Sequence, residues 1–334
     1  MTRTLTRTAI AVLAGAVALS LGACSSPQTS TTSAAPTTVG IAMQPWIGYG
    51  PWYIAKDQGF DVQNGVSLDL VTFTTDADAA AAFTSGKVVG ANSAINSLGH
   101  LVHAGQEHTI VMLEDVSTTA DAILAGSGVD SIADLKGKKV AFEAATTSDL
   151  LLRYALSTAG LTTDDITVVP TPAANAGAAL LSGSVDAAVT YEPYISAAVA
   201  QGKDVKLLYT AGEKPGLIAD VFTVNTPWAK ENPDTVKSLL RAWDAAVAYL
   251  KENPDEGHAI IAEAVGASVE DLETSFEGVQ IYTLDESNTY LAGDFASTAR
   301  EINKIQVDSG DTDVTGVDLP SLVDTSHGVE AAKK

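Results

Sequence analysis

Trp46-Ile47-Gly48-Tyr49-Gly50-Pro51-Trp52-Tyr53 gathers aromatic rings, two glycines and a proline in a chain that is only 6% aromatic. Such rings offer flat apolar faces with polar tips, which suits the holding of a small organic molecule. Gly48 and Gly50 let the backbone come close to it. Pro51 fits the first turn of a helix, whose free N–H groups attract polar or anionic groups. Trp46 and Tyr49, ahead of that helix, read as ligand-facing, whereas Tyr53 within it reads as core.

Further polar residues fall at comparable places. Asn92 and Ser93 stand between a predicted strand and helix, where they either meet a ligand or cap the helix. Thr146, Thr147 and Ser148 follow another strand. Their hydroxyls and the next helix's N–H groups can grip a sulfonate, nitrate or carboxylate, and Thr147 or Ser148 alternatively caps that helix. Asp121, Glu143 and Glu192 lie near predicted strand ends. Lining a cleft, they favour an amine, an amidine or a ring N–H; otherwise they are solvated charges. Tyr191 and Tyr194 flank Glu192 and can flank the ligand too.

Catalytic chemistry is not visible. The chain has no G-x-S-x-G, no H-E-x-x-H and no P-loop, so no catalytic residue and no cofactor are assigned. His100, His103 and His108 form H-x2-H-x4-H, and the first two share a helix face. No cysteine assists them and His108 lies past the helix end, so they read as surface or core histidines and no metal is assigned.

Alternating elements must position these groups. Apolar runs at 39–43, 66–73, 88–91 and 109–113 alternate with helical stretches at 51–58, 76–84 and 94–104. That rhythm predicts α/β layers with a largely parallel sheet. The pattern then restarts. Strands at 121–125, 140–143, 166–169, 186–190 and 205–209 enclose helices at 147–158, 173–181 and 193–200, enough for a second unit. After a strand at 218–224 the chain turns helical, with helices predicted at 233–253, 255–265, 269–277 and 287–307. Trp228 reads as an anchor for these helices. Leu319, Leu322 and Val323 read as a docking patch in the polar tail.

Cys24 is the single cysteine. It follows Leu21-Gly22-Ala23, an apolar run from residue 9, and the basic Arg3 and Arg7. That is a secretory signal whose small residues mark a cut. A cysteine directly after them resembles the lipobox of bacterial lipoproteins, in which the thiol takes a diacylglyceryl group (palmitate-class chains). Residues 25–38, rich in Ser, Thr and Pro, read as a flexible tether. Loss of Arg3 and Arg7 with the signal takes the formal charge from −22 to about −24. Such a chain lacks the Lys/Arg clusters that nucleic-acid binding needs.

Three segments together resemble one family, the solute-binding proteins of ABC importers for nitrate, sulfonates, taurine and the thiamine pyrimidine precursor. The stretch from Gln44 to Phe60 is similar to the family's W-x-G-Y-x-P segment. Ser131-Ile132-Ala133-Asp134-Leu135-Lys136-Gly137-Lys138-Lys139-Val140-Ala141 is similar to its D-L-K-G-K-K-V-A segment. Gly183-Ser184-Val185-Asp186-Ala187 with Glu192-Pro193 resembles its G-x-V-D-A…E-P. The resemblance implies an α/β two-lobed periplasmic-binding-protein fold (type II), with two hinge crossings and a ligand cleft between the lobes. Residues 1–23 would be the signal and 24–38 the lipidated tether. Residues 39–115 plus 225–334 would form lobe 1, and 119–219 lobe 2.

The resemblance also implies a monomeric, lipid-anchored extracytoplasmic receptor. It would pass a small-molecule ligand to a cognate permease and, through it, an ATPase. The thiamine-pyrimidine synthases of the superfamily carry a histidine and a cysteine-rich motif that this chain lacks. A ligand-sensing lipoprotein without transport is the reading from another class. The predicted cleft segments hold no clear Lys or Arg. That favours a small zwitterionic or nitrogen-containing organic solute, although sulfonate/taurine-like, pyrimidine and nitrate ligands stay open.

Overall fold

The computed structural model describes residues 35–333. Cys24, the signal segment and most of the tether therefore lie outside the described residues. The described strands are, in chain order, β1 (Thr37–Met43), β2 (Val66–Thr72), β3 (Gly90–Ala94), β4 (His108–Ser117), β5 (Asp121–Ala125), β6 (Lys139–Phe142), β7 (Thr167–Pro170), β8 (Ala187–Tyr191), β9 (Lys206–Thr210), β10 (Ala219–Asn225) and β11 (Val279–Ile281). They form two sheets, a six-stranded one in the order β11-β4-β10-β3-β1-β2 and a five-stranded one in the order β7-β6-β8-β5-β9.

Neither sheet is as parallel as the sequence rhythm predicts. β1 pairs in parallel with β2 and β3, and β6 with β7 and β8. β10, however, runs antiparallel to both β3 and β4, and β5 antiparallel to both β8 and β9. The cause is the chain path. It leaves the first sheet at the end of β4, enters the second through β5 and returns through β10. Strand direction leaves no mark in an apolar run, so the alternation alone could not show it. One consequence is that β5 and β10 begin at the edge where the parallel strands end.

Local rules explain most boundaries. Asn232-Pro233 opens the helix Pro233–Glu252, with Pro in its first turn. Val236, Leu239, Leu240, Trp243 and Val247 recur at three- and four-residue spacing and are buried. Each such Leu or Val contributes roughly 1.5–3 kcal/mol relative to exposure. This helix packs on Gly50–Asp57, which also meets Pro254–Val265.

Two helical predictions need correction. The stretch predicted as one helix over 287–307 is two, Leu284–Ala292 and Phe295–Asp308, divided at Gly293. The helix predicted over 269–277 stops at Leu272. Trp228 is partly buried against the core of the first sheet, in keeping with an anchor. Leu319 is buried and Val323 bridges to Ile110, so the tail patch docks on the body.

Candidate functional site

A cavity of about 450 Å³ lies where the two sheets face one another. Trp46, Tyr49, Asn92 and Ser93 reach it from the first sheet, and Asp121, Thr146, Thr147 and Tyr191 from the second. The parallel strands β1, β3, β6 and β8 point their carboxyl ends at it, the usual ligand position in α/β sheets. The first residues of β5 and β10 arrive beside them, so Asp121 and Asp220 also line it.

Trp46 is 4% exposed. Its indole N–H donates to Asp115 Oδ2 at 3.1 Å, and its ring meets Tyr191 edge-on with centroids 5.8 Å apart. Gly48 makes this possible. A Cβ there would stand 2.2 Å from Trp46 Nε1 and 2.3 Å from Asp115 Oδ2. Behind it, Trp52 donates to Glu114 Oε1 at 2.7 Å and to Asn92 Oδ1 at 3.0 Å. Asn92 in turn donates to the Ala42 carbonyl at 3.1 Å. Asn92 and Ser93 belong to β3 itself, and Ala94 precedes the next helix without a side-chain cap, so neither residue caps it.

The loop 143–147 is held tightly. Ala145 sits at φ 63°, a left-handed conformation costing an alanine about 1–2 kcal/mol. Its N–H donates to Asp149 Oδ2 at 3.0 Å. Thr146, rather than Thr147 or Ser148, caps the helix Thr147–Thr158. Its Oγ1 accepts from the Ser148 N–H at 3.2 Å and donates to the Glu143 carbonyl at 2.8 Å.

Acids dominate the electrostatics. Burial pushes Asp76 up to about 6, helped by the nearby Glu143 charge, while a hydrogen bond from Gln44 opposes it. Burial pushes Asp121 up to about 7, with Glu192 adding and the Ser117 and Thr147 hydroxyls opposing. Glu114, Asp115 and Asp220 are driven well above the carboxylate range, first by burial and then by one another. Asp115 and Asp220 are register partners on β4 and β10. Among the described residues no Lys or Arg lines the cavity.

A sequence model described as NMT1/THI5 like matches residues 46–257. This chain belongs to the NMT1/THI5-like family. It is 26% identical over 272 residues to a putative binding protein of Brucella abortus (strain 2308), covering 81% of this chain and 84% of that one. Over 165 residues it is 33% identical to a putative aliphatic sulfonates-binding protein of Escherichia coli (strain K12), covering 49% of this chain and 51% of that one. The solved alkanesulfonate-binding protein SsuA of Xanthomonas axonopodis pv. citri, bound to MOPS, matches with a TM-score of 0.72 at 21% identity, covering 87% of this chain and 99% of that one. That likeness is one of fold, the two-lobed periplasmic-binding-protein architecture.

Four of the residues predicted for the site stand elsewhere in this NMT1/THI5-like chain. Gly50 opens a helix, and a Cβ on it would lie 2.4 Å from Ile261 Cδ1, so it serves helix packing. Ser148 is buried behind the cavity wall. Glu192 accepts from the Ser196 N–H and Oγ, both at 3.0 Å, and from Ser275 Oγ at 2.9 Å, tying β8 to the C-terminal half. Glu143 sits outside the wall and accepts from the N–H groups of Asp76 at 3.3 Å and Ala173 at 3.0 Å.

Sequence reasoning missed Gln44, Asp76 and Asp220. Asp76 looks like a helix-start acid, and Asp220 sits in a segment read as a strand. The available signal was a carboxylate embedded in an apolar strand, as in Ala219-Asp220-Val221. Among the histidines, His100 Nε2 lies 3.2 Å from Asp311 Oδ2 and His103 Nε2 4.0 Å from Asp313 Oδ1. They link the helix Ile95–His103 to the loop after Asp308. His108 is buried and held neutral.

Proposed function

We propose that this chain is the extracytoplasmic solute-binding receptor of an ABC importer. It captures one small organic molecule in the cavity and delivers it to a permease driven by an ATPase. The observation that carries this reading is a cavity of small-molecule size walled by side chains from both sheets. Membership of the NMT1/THI5-like family and relatives named as binding proteins support it.

Ligand capture closes the lobes about the crossings near 114–120 and 219–224. Lobe 1 is taken as 39–115 plus 225–334 and lobe 2 as 119–219. Trp46, Tyr49, Asp121, Thr147 and Tyr191 contact the ligand, while Asn92 and Thr146 hold the wall. The chain acts as a monomer without enzymatic activity. Cys24 carries the lipid that keeps it on the outer face of the cell membrane, beside its permease, and residues 25–38 are the tether.

Titration calorimetry joined to small-angle scattering tests this reading. Taurine, methanesulfonate, nitrate, 4-amino-2-methylpyrimidine and benzamidine form the panel. One of them should bind at one site per chain and shrink the radius of gyration, and Trp46→Ala should abolish both effects. Binding that leaves the scattering unchanged would remove lobe closure. Binding untouched by Trp46→Ala and Asp121→Asn alike would place the ligand elsewhere.

A further inference from the structure

We infer that the cavity selects an organic cation, whose N–H groups are shared among Asp76, Asp121 and Asp220 while Trp46 and Tyr191 lie against its body. This deepens the receptor reading and rests on it.

An oxoanion needs donors, and several of the N–H donors around this cavity already have protein partners, although the Ser97 hydroxyl has none among the described residues. The Gln44 amide N–H donates to Asp76 Oδ1 at 3.0 Å. The Trp46 indole donates to Asp115, and the Asn92 amide to Ala42 and Met43. Two of the three described helix starts at the cavity are partly occupied as well, while the third, Ile95–His103, has no side-chain cap. At one, the Asp76 N–H goes to Glu143 Oε1 and the Asp78 N–H to Thr75 Oγ1. At the other, the Ser148 N–H goes to Thr146 Oγ1. Such a helix start has fewer N–H groups left for an anion.

The acceptors, in contrast, are in surplus. Asp220 is 5% exposed and Gln44 9%, yet Asp220 Oδ1 and Gln44 Oε1 have no hydrogen-bond partner among the described residues. Both residues line the cavity. A buried acceptor without a donor is costly to the fold. A ligand that brings N–H groups and positive charge removes that cost. Asp121, 4% exposed and on the opposite sheet, adds a third acid. The only basic side chain on the described wall is His100, and it faces Asp311.

A bare metal ion fits less well than an organic cation. Among the described residues, the group of three whose ligand atoms come within 4.8 Å of one another is His100, Asp311 and Asp313, which leaves out the cavity acids. Three separated carboxyls suit a body that presents N–H groups in several directions. The rings of Trp46 and Tyr191 suit its charge, since cations favour aromatic faces.

Matched probes test the inference. Benzamidine, benzenesulfonate and benzyl alcohol share a ring and differ in charge, and histamine and 1,4-diaminobutane extend the cationic arm. Calorimetry at pH 7.5 is run on the wild type, Asp121→Asn and Asp220→Asn, each first shown folded by its melting transition. A cationic probe should bind most tightly, and at least one Asn variant should weaken it tenfold or more. Tightest binding of benzenesulfonate would overturn the cationic class and leave the receptor reading standing. Cation binding equal in wild type and both folded variants would also overturn it. If no cation binds below 1 mM, the inference falls. If taurine, methanesulfonate, nitrate and 4-amino-2-methylpyrimidine fail too, the receptor reading falls with it.

Discussion

The backbone N–H of Asp76 donates to Glu143 Oε1 at 3.3 Å, joining the start of the helix Asp76–Thr84, which follows β2 of the first sheet, to the loop after β6 of the second. The same carboxylate accepts from the Ala173 N–H, so Glu143 clasps the two halves beside the cavity it was expected to line. Glu143→Ala should therefore leave the fold intact and speed ligand release. One hydrogen bond contributes about 0.5–1.5 kcal/mol, so stopped-flow fluorescence should show dissociation faster by about 2- to 13-fold. An unchanged off-rate would show that the clasp does not hold the closed form.

Trp46 and Gly48 form a unit. Trp46→Phe keeps the ring contact with Tyr191 and deprives buried Asp115 of its donor. Leaving that group unsatisfied should cost about 1–3 kcal/mol in urea unfolding. Gly48→Ala should give a loss of similar size, because its Cβ would occupy the space of that bond. Full stability in both variants would contradict this role for Asp115.

Gly50→Ala separates packing from binding. The new methyl would press on Ile261 and should cost about 1–3 kcal/mol of stability. Affinity should change less than about twofold, since Gly50 does not line the cavity. A large affinity loss without loss of stability would return Gly50 to the site.

Stability should also depend on pH through the cavity acids. Asp76 and Asp121 titrate at about 6 and about 7 when folded, against about 4 in an unfolded chain. The folded state thus holds these protons more tightly. Their ionisation penalty is absent below about pH 4 and complete above about pH 7, so the unliganded protein loses stability as pH rises through that window. His108 and His258, kept neutral by burial, act in the opposite sense on the acid side. Comparing wild type with Asp121→Asn isolates the acid. The wild type should lose more melting temperature between pH 5 and pH 8, and equal slopes would contradict the assignment.

Much of the fold was legible because periodicity and caps are local. The helices Asp76–Thr84 and Ala173–Leu181 and the strand Asp121–Ala125 fall where the pattern puts them. Strand direction and the Gly293 break were not legible, since both depend on how the halves dock. The same limit applied to the site. Trp46 and Tyr49 could be picked out by the scarcity of aromatics, and Tyr191 by its place beside Glu192. Asp220 stood out only as a carboxylate in an apolar strand, and its place at the cavity edge comes from the antiparallel return of β10. Glu192 looked like a site acid, but the partner that claims it, Ser275, is 83 positions away.

Cys24 carries its own prediction. Cys24→Ser should leave calorimetric affinity unchanged and move the protein from the membrane pellet to the soluble fraction. Retention in the pellet would remove the lipid anchor from the account.

The central claim is that one small organic solute occupies the cavity between the lobes. A crystal structure with the tightest ligand of the panel tests it most directly. The account predicts ligand density against Trp46 and Tyr191, within hydrogen-bond reach of Asp121 and Asp220. Density on the outer surface, with the cavity empty, would contradict it.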